Sequence, residues 1–186
     1  VRGTTVYPAP LAMASSWNID LVEKASIQTA IEMRATGSHW TFAPNIDLAR
    51  DPRWGRVGET FGEDTHLVGE MGVAMIQGLQ QGDFTSKNTV VANAKHWAAG
   101  GEPLTGINLS PMDVSMRTLY EDFFPPFERA IEAGVFTFMA AHNEINGEPA
   151  HGSKFLLTEV LREDWNFDGF VVSDWMDVSR LHTFHK

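Results

Sequence analysis

Two rhythms of apolar residues alternate along this chain: stretches with helical spacing and short unbroken runs. Over residues 18–36, Ile19, Val22, Ala25, Ile27, Ala30, Ile31 and Met33 approximate one face and Gly37 follows, which predicts a helix and its end. Leu67, Val68, Met71, Met75, Ile76 and Leu79 repeat that spacing over 65–81, with Gly82 beyond. Residues 115–133 predict a third helix, kinked or broken at Pro125-Pro126, because the ring removes an N–H and crowds the preceding turn. A fourth, over 153–165, starts on Ser153, a favoured cap. The unbroken runs predict a strand plus loop over 39–48 and strands over 89–97, 135–141 and 169–173, with a turn at Asn146-Gly147.

Strand starts near 39, 89, 135 and 169 thus alternate with helices of 13 to 19 residues, which indicates βαβ units and a parallel sheet. A doubly wound sheet and a TIM-type barrel both fit this alternation. The barrel is preferred, because the loops after the strands are long and polar and no Gly-rich nucleotide loop follows any strand. A closed (β/α)8 barrel takes about 250 residues, and this chain has 186. The expected fold is therefore α/β, a partial (β/α)8 TIM-type barrel with parallel strands, residues 1–186 being a segment truncated at both ends.

The predicted strands stop on polar residues. The sharpest case is Gly169-Phe170-Val171-Val172-Ser173-Asp174-Trp175, read as a buried strand ending on a carboxylate and an indole. Three other runs stop at Asn45/Asp47, Lys95-His96 and His142-Asn143. Strand C-termini line the active site of such a barrel, so these groups are expected around one concave site for a polar, uncharged substrate such as a sugar. Asp174 is the leading candidate. Breaking an acetal needs a carboxylate opposite the leaving group, to form a covalent intermediate or to position water. An Asp placed there would equally serve as a helix N-cap.

Lys95 and His96 offer hydrogen-bond donors to hydroxyls, provided the strand end twists enough for both to face a ligand. Lys95 also suits a Schiff base with a carbonyl substrate, a reading the residues leave open. Arg53 and Arg56 lie in a loop rich in Asp51, Glu59, Glu63 and Asp64, where one guanidinium can reach a ligand while the other braces the chain. Trp175 offers a flat apolar face to a sugar ring, or simply core packing.

Composition narrows the partners. A net charge of −10 with no basic cluster argues against nucleic acid. No apolar run approaches the roughly 20 residues of a membrane helix. Without cysteine there is neither a disulfide framework nor a thiolate metal site, and the compartment stays open. Seven histidines raise the question of a metal, but no His-Glu-x-x-His pattern is present, and no Gly-x-Ser-x-Gly elbow suggests a serine hydrolase. No metal and no cofactor are expected.

Taken together, Phe42-Ala43-Pro44-Asn45-Ile46-Asp47, Asp51-Pro52-Arg53-Trp54-Gly55-Arg56, Glu59-x-Phe61-Gly62-Glu63-Asp64, Lys95-His96, Asn143-Glu144-Ile145-Asn146-Gly147-x-Pro149 and Val172-Ser173-Asp174-Trp175 resemble glycoside hydrolase family 3. The pieces stand in that family's order over nearly the whole chain. The resemblance implies a barrel domain of a retaining β-glycosidase, without a cofactor. It matches Asp174 to the nucleophile, and Arg56, Lys95 and His96 to residues that hold the sugar hydroxyls in the −1 subsite. Trp175 would line the +1 side.

His142 stands where relatives often carry Tyr, and is a weaker member of that set. Lys95-His96 is not followed by the Pro-Gly-His-Gly loop of the family's N-acetylglucosaminidase branch, which favours glucosidase or xylosidase activity. The catalytic acid is expected outside this stretch rather than at Glu102 or Glu144. The expected partner is a β-linked oligosaccharide or glycoside. The resemblance favours a periplasmic or extracellular location, and association between chains is not readable from the residues. A lyase working through Lys95 and a non-catalytic sugar-binding segment are the alternatives.

Overall fold

The computed structural model describes residues 3–185. Its elements run α1 (Pro10–Ala14), α2 (Ile19–Ala35), α3 (Thr65–Gln80), β1 (Asn93–Trp97), α4 (Met116–Thr118), α5 (Pro125–Glu132), β2 (Thr137–Ala140), β3 (Glu144–Ile145), β4 (Glu148–Pro149), β5 (Phe170–Val172) and α6 (Asp177–Thr183). Local chemistry sets most of the boundaries. The Asn18 side chain accepts the Leu21 N–H at 3.1 Å, and that of Asp64 accepts from Leu67 at 2.7 Å, satisfying amides that the first turns of α2 and α3 leave free. Gly37 follows α2 at φ 86°. At the Asn146-Gly147 turn both residues have positive φ, 51° and 86°, as a two-residue connection between β3 and β4 requires.

Two expected helices differ in pitch. Between α4 and α5 the chain is π-helical over Leu119–Phe123, and Phe124 N–H reaches the Leu119 carbonyl at 2.8 Å. Pro125 and Pro126 then open α5, so the prolines break the helix rather than kink it. The helix expected over 153–165 is π-helical at Phe155–Asp164. Ser153 does act at its start, accepting the Leu156 N–H at 3.2 Å.

β1, β2 and β5 form a parallel sheet in the order β1-β2-β5. The segment 39–46 lies parallel to β1 on its free side, bridging Trp40 to Val91 and Asn45 to Lys95. All four sequence-predicted strands therefore stand side by side in chain order, with helices between them, as part of a TIM-type barrel. The expectation that the run 169–173 forms a buried strand is not met: Phe170 is 46% exposed. β5 ends the sheet's order, so among the described residues it has a strand neighbour, β2, on one side only.

Alternation on β2 divides two layers. Phe138 points to the helices, against Phe127, Phe167 and the fully buried Trp97, whose ring also meets Phe124 and Trp165 at about 5 Å. Thr137 points to the other face and takes hydrogen bonds from Trp40 and Asn93. Behind the sheet, α2 and α3 approach closely at Gly78, where an added Cβ would lie 2.5 Å from the Glu23 carbonyl oxygen.

Candidate active site

The C-terminal ends of the parallel strands deliver their polar residues to one cleft of ≈ 590 Å³. Its lining includes Arg56, Lys95, His96, His142, Asp174 and Trp175, but not Asn45, Asp47, Arg53 or Asn143, which the sequence also offered. Adjacent residues of a regular strand cannot both face one side. Here β1 is irregular: Lys95 pairs with Met139 and Trp97 with Ala140, which leaves His96 as an extra residue without an opposite number. Such a bulge re-aims side chains, and Lys95 and His96 both line the cleft.

Asp174 lies just beyond β5, with 14% of its side chain exposed. Its Oδ2 is 2.9 Å from His142 Nε2 and 3.5 Å from His96 Nε2, while Oδ1 accepts the Trp175 N–H at 2.5 Å. Burial opposes ionisation of this carboxyl. The His142 hydrogen bond, the Trp175 amide and the nearby imidazoles outweigh it and hold Asp174 well below the usual carboxylate range. It does not cap a helix, since α6 begins at Asp177 with Met176 before it and no capping side chain.

His96, 4% exposed, is fixed by a second buried carboxylate: its Nδ1 meets Asp47 Oδ2 at 2.7 Å. Arg56 lies 3.3 Å from the other ring nitrogen and is forked onto Glu59 at 3.0 and 2.8 Å. Arg53 has the bracing role: it binds both oxygens of Asp51 and its side chain is 68% exposed. Lys95 is half-buried, and among the described residues no carboxylate lies within ion-pair distance of its amine. Burial and then the Arg56 charge lower its pKa, against the pull of Glu59, Asp174 and Asp47. Trp175 is 80% exposed at the rim, so it takes no part in the core.

Three contributors escaped the sequence reading. Asp47 was visible as a strand end but not as the anchor of His96. Asp177 and His151 had no pattern to mark them, beyond Asp177 falling three residues after Asp174. His142 Nδ1 lies 2.6 Å from Asp177 Oδ2, His151 Nδ1 lies 3.5 Å from the same oxygen, and His151 Nε2 accepts the Asp174 N–H at 3.0 Å. Burial comes first among the influences on His151 and lowers its pKa.

An ionised carboxylate among imidazoles, a guanidinium and an amine, beside an exposed indole, is equipped to bind a hydroxyl-rich ring and attack an electrophilic carbon. Known proteins point the same way. A β-xylosidase from Formosa agariphila is 48% identical over 98% of this chain and 26% of its own length. A periplasmic β-glucosidase from Salmonella typhimurium is 40% identical over 95% of this chain and 23% of its own length. The β-glucosidase from Listeria innocua, solved in complex with glucose, superposes with a TM-score of 0.94 at 40% identity, covering 98% of this chain and 26% of that one. The chain spans about a quarter of the length of these relatives. The model of the glycosyl hydrolase family 3 N-terminal domain matches residues 1–186, and the chain belongs to that family.

Proposed function

We propose that this domain supplies the nucleophile and most of the −1 subsite of a retaining β-glycosidase acting on terminal β-linked glucosyl or xylosyl residues. The observation that carries the reading is the ionised carboxylate of Asp174, fixed in a cleft with Arg56, Lys95, His96 and His142 around it. Asp174 attacks the anomeric carbon as the bond to the leaving oxygen breaks, and that oxygen takes a proton from a separate acid. The sugar is left as an ester on Asp174, and water then attacks the same carbon, passing its proton to the base that the separate acid has become, so that the carboxylate and the acid are both restored and the sugar leaves with its configuration retained.

Arg56 and Lys95 donate to the sugar hydroxyls, His96 holds a hydroxyl beside them, His142 contributes next to the nucleophile, and Trp175 covers the far side of the bond. The acid is not assigned to this chain. Glu144 is engaged by His185 at 2.6 Å and Glu102 by Arg50 at 3.5 Å, and neither lines the cleft. An exported location, as in the Salmonella relative, completes the proposal.

A 2-fluoro glycoside should trap the complete natural protein as an ester on Asp174, located by peptide mass. Asp174→Asn should keep ligand binding and lose most turnover. Label on any other residue refutes the assignment.

A further inference from the structure

Asp174 is held at two points, and both supports converge on one buried carboxylate. The first runs through its side chain: Oδ2 meets His142 Nε2 at 2.9 Å, and the far nitrogen of that ring lies 2.6 Å from Asp177 Oδ2. The second runs through its backbone: the Asp174 N–H donates to His151 Nε2 at 3.0 Å, and His151 Nδ1 lies 3.5 Å from the same Asp177 oxygen. Four residues close a ring that joins the end of β2, the segment after the β3–β4 hairpin and the turn from β5 into α6.

Asp177 itself is 3% exposed and does not line the cleft. A carboxylate buried that deeply is stable only among partners. Those facing it are His142, His151 and Arg180, whose guanidinium reaches its other oxygen at 3.2 Å. His142 Nδ1 approaches Asp177 Oδ2 off the line a hydrogen bond prefers, so Asp177 constrains this ring by close packing behind it. On the other arm, His151 Nε2 accepts an N–H and therefore carries no proton. The ring proton sits on Nδ1, the side that Asp177 faces. A carboxylate behind an imidazole fixes the ring's tautomer and direction, as the buried Asp does in Ser-His-Asp triads.

We infer that Asp177 is a positioning residue for the nucleophile: by anchoring His142 and His151 it sets both the aim of the Asp174 carboxylate and the place of its backbone. The inference rests on the reading of Asp174 as nucleophile. It differs from a packing role in what it predicts. A misaimed nucleophile slows the chemical step and leaves the sugar's hydroxyl contacts alone, whereas a loosened core lowers stability and weakens binding with it.

The test uses the complete natural protein and the 2-fluoro glycoside, reading the rate constant for trapping, KM for a simple aryl glycoside and the melting temperature. Asp177→Asn and His142→Gln should each slow trapping by about 100-fold, the cost of a misplaced reacting group, with KM little changed in Asp177→Asn, whose side chain lies outside the cleft. The double variant should be no slower than the slower single one, because residues acting as one unit are non-additive. Independent, multiplying losses overturn the inference, and so does an Asp177→Asn protein trapped at the wild-type rate. If Asp177→Asn does not fold, His142→Gln decides alone, since it leaves Asp177 with His151 and Arg180, and wild-type trapping there overturns the inference. Wild-type label away from Asp174 removes the nucleophile reading and this inference together. Label on Asp174 with unaffected variants removes the inference alone.

Discussion

At Asp174, two effects compete over one proton. Burial favours the neutral acid, and the His142 hydrogen bond, the Trp175 amide and the neighbouring imidazoles favour the anion and win. An aspartate held below its usual value of about 3.9 stabilises the fold fully above that value, and the contribution is lost as pH falls through the lowered native value. The carboxylate is thus ready for attack throughout the mildly acidic and neutral range. Removing the hydrogen bond with His142→Gln should move the acid limb of the trapping rate upward, toward the ordinary aspartate value. Trapping rates followed from about pH 3 to 7 check this, and an unmoved limb would mean that His142 does not control the ionisation of Asp174. Lys95 shows the opposite balance, with burial and a neighbouring cation making its charge less comfortable.

Helix α3 owes its place behind the sheet to an absence of atoms. Gly78 lets its backbone settle against α2, and a Cβ there would meet the Glu23 carbonyl at 2.5 Å and Ser26 Cβ at 2.7 Å. Backbone cannot yield as a flexible side chain does. Gly78→Ala should therefore destabilise the domain by about 1–3 kcal/mol, the range for overpacking. Gly58→Ala, where nothing lies within 4 Å, is the matched control. Equal melting temperatures for the two would contradict the close-packing account.

Taken as a whole, the four strands make an open sheet. Phe170 on β5 is 46% exposed and Phe136, ahead of β2, is 44% exposed. An uncovered parallel edge with apolar side chains is a template for association. The 186-residue chain produced on its own should form soluble aggregates or precipitate, as sedimentation or light scattering will show. A monodisperse, cooperatively melting monomer would argue against this.

Fold class was legible in the sequence because hydrophobic period is a local property. The spacing of Leu67 to Leu79, the run Val135 to Ala141 and the cap Ser153 act within a few residues of themselves. The strand ends were legible for the same reason, each being an apolar run that stops on a polar group. Pitch was not: whether 119–123 and 155–164 wind as α or π turns depends on what packs against them. The exposure of β5 depends likewise on its neighbours in the sheet rather than on its own apolar residues.

By itself, then, the sequence determined which side chains reach the strand ends, since hydrophobic rhythm and chain direction are written residue by residue. Only tertiary structure decided how those side chains are aimed. The bulge at His96 arises from pairing with β2, and the pairing of Asp47 with His96 joins positions 49 residues apart. The convergence of His142 and His151 on Asp177 needs three segments folded together. Distances of a few ångströms between residues far apart in the chain are set by packing, and packing has no local signature.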